Sequence, residues 1–228
     1  MTSASREIEF KFGLHDKQAF DQLVAHINLP EAVLNEGVVQ VNHFFDSQAL
    51  CLHKKHFVIR LREEKQKHFL TIKGEKALQQ KGGSVLSDRV EEEVSIPRQA
   101  AEDLLHGRIS PQQAINDHFE TRSASILQMI KTACNDQGLV HIGKFSNVRI
   151  HLPPVTLAVA NADEKLVFEL DTSTFPDGSV EYEIEIEITE HNNAASIEAA
   201  LVELFQQAGI EWHPAASKAE RFFATLAN

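Results

Sequence analysis

The chain has 228 residues and a mass of 25.5 kDa, enough for one domain of ordinary to slightly large size or for two small ones. Hydrophobic residues at 43% and charged residues at 24% are an ordinary globular balance, which excludes a disordered or collagen-like chain, and no apolar stretch is long enough to span a bilayer. With 22 basic and 33 acidic residues the net charge is -11, which argues against a general nucleic-acid or anionic-membrane surface but allows a local basic pocket. The first ten residues lack the apolar core of a secretory signal, so Cys51 and Cys134 are expected to be free thiols in a reducing cytoplasm.

In chain order, period-two alternation predicts a strand over 6–12, and Asp16 is the expected N-cap of a helix running to Ile27. A strand follows over 38–46. Strands at 57–63 and 68–73 form an expected hairpin through 64–67. The glycines and serines of 74–88 predict a mobile loop before a strand at 89–96 that ends at Pro97. From 99 to about 136 the period is helical, with Ser110 as N-cap and Pro111 at the first helical position. Strands resume at 139–145, 148–152, 155–160, 165–170 and 179–188, with a turn at Asp177-Gly178. Helices at 194–208 and 216–226 close the chain. The expected class is a single α+β domain over 1–228, an antiparallel sheet with helices outside.

The polar strand faces are almost uniformly charged. Glu7, Glu9 and Lys11 oppose Ile8, Phe10 and Phe12. Arg60 and Arg62 oppose Ile59 and Leu61, Lys73 opposes Ile72, and Arg89, Glu91 and Glu93 oppose Val90 and Val94. Arg149, then Glu169 and Asp171, then Glu183, Glu185 and Glu187 recur in the same way. Solvated outer faces would account for the alternation. If instead the sheet curls on itself, these charges line an interior and must be neutralised there. A polyphosphate would satisfy the cations and hard divalent ions the carboxylates. The twelve histidines show no zinc-type spacing, and Gly82-Gly83 is no Walker loop, since no Lys-Ser/Thr follows.

Glu7-Ile8-Glu9-Phe10-Lys11 resembles the Glu-x-Glu-x-Lys signature of the CYTH superfamily, the triphosphate tunnel metalloenzymes. The motifs Phe44-Phe45-Asp46, Ile59-Arg60-Leu61-Arg62, Leu70-Thr71-Ile72-Lys73 and Arg89-Val90-Glu91-Glu92-Glu93 follow in that family's order. So do Phe145 to Arg149, Phe168 to Asp171, Tyr182 to Glu187 and Ser217-Lys218. The resemblance runs from residue 7 to about 223 and is greatest to small stand-alone tripolyphosphatases and thiamine triphosphatases. It implies a closed eight-stranded antiparallel barrel with triphosphate inside and Mg²⁺ or Mn²⁺ as cofactor. It further implies that Lys11, Arg60, Arg62, Lys73, Arg89, Arg149 and Lys218 hold phosphates, and that Glu7, Glu9, Asp171, Glu183 and Glu185 hold metal. Lys11, Glu91 and Glu93 are the catalytic candidates. In the run 91–93, alternation points Glu91 and Glu93 inward and Glu92 away.

The function this implies is a metal-dependent triphosphatase acting on inorganic tripolyphosphate or a small organic triphosphate such as thiamine triphosphate. A class IV adenylate cyclase and a non-catalytic polyphosphate-binding module are the alternatives. The expected partner is the small-molecule substrate alone, without nucleic acid or membrane, in a cytoplasmic monomer or weak homodimer.

Overall fold

Alternation becomes sheet in the computed structural model, which describes residues 5–27, 31–81, 84–119, 123–135, 137–159, 162–189 and 192–226. The side chains of 5–6, 31–32, 75–81, 84–85, 88–90, 123, 158 and 162–163 lie outside that description. The first half comprises β1 (Ser5–Leu14), α1 (Lys17–His26), α2 (Glu31–Leu34), β2 (Val38–Asp46), a 3₁₀ turn (His53–Lys55), β3 (Val58–Glu64), β4 (Lys67–Lys81) and β5 (Ser84–Ile96). Then come α3 (Arg98–Leu105), α4 (Pro111–His118), α5 (Ser123–Cys134), β6 (Val140–His151), β7 (Val155–Val159), β8 (Ala162–Thr174), β9 (Val180–Ile188), α6 (Ala194–Gln207), β10 (Trp212–Pro214) and α7 (Lys218–Thr225).

The strands join antiparallel in the order β10-β1-β5-β4-β3-β2-β6-β8-β7, and β9 pairs with both β1 and β8. The curled antiparallel sheet and the outer helices agree with the α+β expectation. The expected closed barrel of eight strands is corrected: the sheet has ten strands among the described residues, eight of them linked in a ring through β9, with β10 and β7 as short flaps that each have one partner. The flap β7 is the strand expected at 155–160, whereas β10, three residues long, escapes a reading that relies on sustained alternation.

Other expectations shift as well. Of the loop expected at 74–88, residues 74–81 and 84–88 are strand: β4 and β5 remain paired out to Lys81 opposite Ser84, across a register shift between Lys76 and Gln79. Gly82 and Gly83 lie outside the described residues. The expected strands at 139–145 and 148–152 are one strand, β6, since Ser146 and Asn147 pair with Val41 and Gln40 on β2. The helical stretch 99–136 contains α3, α4 and α5. Ser110 caps α4 by accepting from the Gln113 N–H at 3.1 Å, and Asp16 caps α1 by accepting from Ala19 at 2.9 Å, as the spacing predicts. Asp177 accepts from the Ser179 N–H at the predicted turn, where Gly178 adopts φ +85°.

Cys51 and Cys134 are joined in a disulfide, with Cα atoms 5.1 Å apart and a sequence separation of 83. This corrects the expectation of free thiols. Asp46 explains how the loop reaches α5: its carboxylate accepts from the backbone N–H groups of Ser47, Leu52 and His53, folding 47–57 back on β2.

Apolar packing lies on the outer face of the sheet in two clusters. One places Ile8, Phe10 and Phe12 of β1 against Leu201 and Phe205 of α6. The other places Ile59, Leu61, Leu70 and Ile72 under α3–α5. Burying one such side chain contributes about 1.5–3 kcal/mol, so the apolar residues fix which way each strand faces. The charged residues are thereby turned to the concave side. A third, all-aromatic core of Phe44, Phe145, Phe175, Phe222 and Phe223 seats α7 at the rim of that concavity. No described helix is long and apolar enough to cross a membrane.

Candidate active site

The concave face encloses a cavity of about 320 Å³. Each wall strand contributes alternate residues. The strand β1 gives Glu7, Glu9 and Lys11, β3 gives Arg60 and Arg62, β4 gives Lys73, and β5 gives Glu91 and Glu93. Arg149 enters from β6, Glu185 and Glu187 from β9, and Ser217 and Lys218 from α7. Asp171 and Glu183 lie immediately beneath, fully buried. Alternation therefore finds the lining, including Glu91 and Glu93. Arg89 pairs with Glu7 through the backbone, and its side chain lies outside the described set. Alternation does not find the neutral patch of Gln40, Asn42 and Asn147, because uncharged residues gave no signal. Asn147 donates to Gln40 at 3.2 Å and to Asp171 at 2.8 Å.

The charges sort into two neighbourhoods. On one side Lys73 bridges Glu7 at 3.0 Å and Glu91 at 2.8 Å, and Arg62 reaches Glu93 at 3.0 Å. Arg60 is looser, 3.5 Å from both Glu91 and Glu93. The Nε atoms of Arg60 and Arg62 are buried without a hydrogen-bond partner, and Glu64 stands 3.7 Å from the latter. Buried guanidinium N–H groups left unsatisfied on a cavity wall suit an anion with several acceptor oxygens.

On the other side Asp171, Glu183 and Glu185 offer oxygens that all lie within 4.8 Å of one another. Arg149 pairs with Asp171 through two nitrogens and also touches Glu169 and Glu185. Lys11 joins Glu9, at 2.8 Å, to Glu185. Lys218 Nζ contacts all three carboxylates of the triplet: Asp171 at 2.7 Å, Glu185 at 2.9 Å, and Glu183. Arg221, which sequence reasoning missed, contacts Glu181 and Glu183. Its position one turn after Lys218 on α7 was the available signal.

Of the expected metal ligands, the structure brings together Asp171, Glu183 and Glu185. Glu9 stands next to them through Lys11, while Glu7, two residues earlier on β1, pairs with Lys73 and so sits with Glu91 on the side of β4 and β5. An all-carboxylate donor set fits a hard divalent ion such as Mg²⁺ or Mn²⁺.

Proton affinities divide the carboxylates further. Burial opposes ionisation of Asp171, but Lys218 and Arg149 outweigh it and hold its carboxyl far below the ordinary range. Glu185 is lowered by Lys11 and Arg149 against burial, and Glu7 by Lys73 against burial. In Glu9, Glu91 and Glu169 burial wins and the proton affinity rises. The first group is ready to hold cations. The second is the better set of proton acceptors.

The CYTH domain profile matches residues 5–223. A Bacillus subtilis (strain 168) protein named "Putative triphosphatase YjbK" is 34% identical over 70 residues, 30% of this chain and 35% of its own length. The chain thus aligns with about a third of that curated relative. Among solved structures, one described as "Putative adenylyl cyclase HpAC1 from Hippeastrum reveals a dominant triphophatase activity" superposes with a TM-score of 0.74 at 24% identity, covering 96% of each chain. A Bacillus halodurans protein described as a putative adenylate cyclase superposes with a TM-score of 0.66 at 23% identity, covering 96% of this chain and 98% of that one. At these identities the two superpositions establish the shared fold.

Proposed function

Because the chain belongs to the CYTH domain family, we propose that it is a divalent-metal-dependent triphosphatase that hydrolyses inorganic tripolyphosphate or a small organic triphosphate, acting as one domain. The observation that carries this reading is the pairing of opposites in one cavity: unpartnered guanidinium N–H groups on one wall and a buried carboxylate triplet on the other. A simple anion receptor has no use for the triplet. A metal store has no use for the guanidinium groups.

Arg60, Arg62 and Lys73 would hold the phosphate chain, the arginines through paired N–H groups and the lysine as a point charge. Arg149 and Lys11 hold Asp171 and Glu185 in place and supply positive charge to the same cavity. Arg89 belongs to the cationic set by its position on β5. Asp171, Glu183 and Glu185 would hold Mg²⁺ or Mn²⁺, with Glu9 and Glu7 extending the set across β1. When bound, that ion neutralises phosphate charge and orients the chain for in-line attack. Glu91 and Glu93, beside Lys73 and Arg60, would take the proton of the attacking water, and the raised proton affinity of Glu91 supports that reading.

Product release from a panel of triphosphates with Mg²⁺ or Mn²⁺ tests the reading. Phosphate from tripolyphosphate or thiamine triphosphate, lost in EDTA and reduced by excess Ca²⁺, is the expected result. Cyclic AMP from ATP as the main product, or tight binding without turnover, would overturn it.

A further inference from the structure

Lys218 is among the residues expected to hold phosphates, and its Nζ rests on the Asp171, Glu183 and Glu185 oxygens. We propose that Lys218 is the resident counter-ion of this triplet, that a divalent cation binds there by displacing its ammonium group, and that the lysine thereby couples metal binding to triphosphate binding. The proposal rests on the metal-dependent reading above.

The argument begins with space. The three carboxylates are almost wholly buried, with side-chain exposures of 0, 1 and 7%. Three such groups together need a cation at all times. Their ligand oxygens span less than 4.8 Å. A hard ion with metal–oxygen distances of about 2.0–2.1 Å would sit among those oxygens and take the lone pairs the ammonium now uses. Ammonium and metal therefore exclude each other. Lys11 and Arg149 share a Glu185 oxygen and an Asp171 oxygen with Lys218, but among the described residues only Lys218 contacts all three carboxylates. Lys11 reaches Glu185 from β1, Arg149 reaches Asp171 and Glu185 from β6, and Arg221 reaches Glu183 from the next turn of α7.

Displacement does not require the helix to leave. Phe222 and Phe223 are buried in the aromatic core, and Ser217 caps α7 with a complete capping box. Only the four-carbon stem of Lys218 has to swing. Lys218 also lines the cavity whose far wall carries the unpartnered Arg60 and Arg62 nitrogens. A triphosphate lying there gives the displaced ammonium a new anionic partner. Each ligand then favours the other by the same factor, as linkage demands.

The test measures Mn²⁺ affinity of the full chain without substrate, by the free-ion electron paramagnetic resonance signal, for wild type, Lys218→Met and Lys218→Arg. The titrations are repeated with the non-hydrolysable bis-imido analogue of tripolyphosphate. Lys218→Met is expected to bind Mn²⁺ at least tenfold more tightly than wild type. The analogue should raise wild-type affinity but change the methionine variant much less, with Lys218→Arg following wild type. If Lys218→Met folds only when Mn²⁺ is present, the proposal also stands, because one cation has then replaced the other. Unchanged or weaker Mn²⁺ binding by the methionine variant, or a variant that Mn²⁺ cannot fold, overturns the exchange and leaves the triphosphatase reading intact. Absence of Mn²⁺ binding by every protein overturns both.

Discussion

Lys73 and Arg60 touch carboxylates that they would share with a substrate, so their roles separate from those of the triplet by kinetics. Lys73→Ala and Arg60→Ala are expected to raise KM about tenfold or more, the effect of losing about 1.4 kcal/mol of charge-assisted contact. Glu185→Gln is expected to lower kcat mainly and to raise the metal concentration needed for half activity. Steady-state kinetics across Mg²⁺ concentrations checks both, and a Glu185→Gln enzyme with wild-type metal dependence would remove Glu185 from the ligand set. Away from the cavity, His43 shows how burial writes a pH dependence into stability. Its ring stands 2.7 Å from Glu63 and 3.1 Å from His141 on the apolar side of β2. Burial lowers its proton affinity below the ordinary value of 6.5 despite Glu63, and His141 is lowered in the same way. The folded protein therefore binds protons less readily than the unfolded chain. Stability is full above about pH 6.5 and is lost as pH falls from there through the lowered native value. His43→Gln should flatten that slope in thermal melts between pH 7.5 and 5; an unchanged slope would exclude His43 as its source. The sequence marked the cavity lining through alternation, but neither the burial of His43 nor the choice of partner by Lys218 could be read from it. Both depend on which strands become neighbours.

The helix α7 is the element on which the site depends most. It is held from below by stacking of Phe222 on Phe44, with ring centroids 4.6 Å apart, and from the side by His53, whose ring lies 4.3 Å from that of Phe223. Gly143 on β6 leaves room for it: an added Cβ would lie 3.1 Å from the Phe222 ring. Ser217→Ala removes the cap and is expected to cost about 1 kcal/mol of stability, while lowering kcat/KM more than stability alone explains. Melting and kinetics measured together check this, and a loss of stability with unchanged kcat/KM would separate the helix from the chemistry. The disulfide is a second element-level tie, between the 47–57 loop and the end of α5. Cys51→Ala/Cys134→Ala, or reduction of the wild type, should lower Tm by about 5–10 °C, as expected for closure of a loop of this length. An unchanged Tm would mean that the Asp46 clamp holds the loop unaided. Helix starts were legible wherever a side chain makes the cap, as at Asp16 and Ser110. The disulfide was not, because 83 residues of separation say nothing about proximity.

At the scale of the whole molecule, the charged strand faces left open a solvated outer face or a sheet curled around its charges, and the pairing of β9 with both β1 and β8 selects the curled one. What they did not indicate was how the ends are finished. The flap β10 is too short to carry a period and follows directly on the turn after α6. Residue 212 of that flap is the only tryptophan in the chain. Its ring packs edge-on against Phe12, with centroids 4.9 Å apart, and 6.3 Å from Phe205, while the next residues pair with β1 and lead straight into α7. The protein thus carries one tryptophan fluorophore, placed at the junction between its core and the helix that enters the cavity. Emission from Trp212 reports that junction without added dye. Phe222→Ala should loosen it and shift the emission to longer wavelength, whereas saturating triphosphate analogue with Mn²⁺ should leave the wild-type maximum in place, because only a lysine stem moves. A red shift on ligand binding would instead mean that the whole helix lifts.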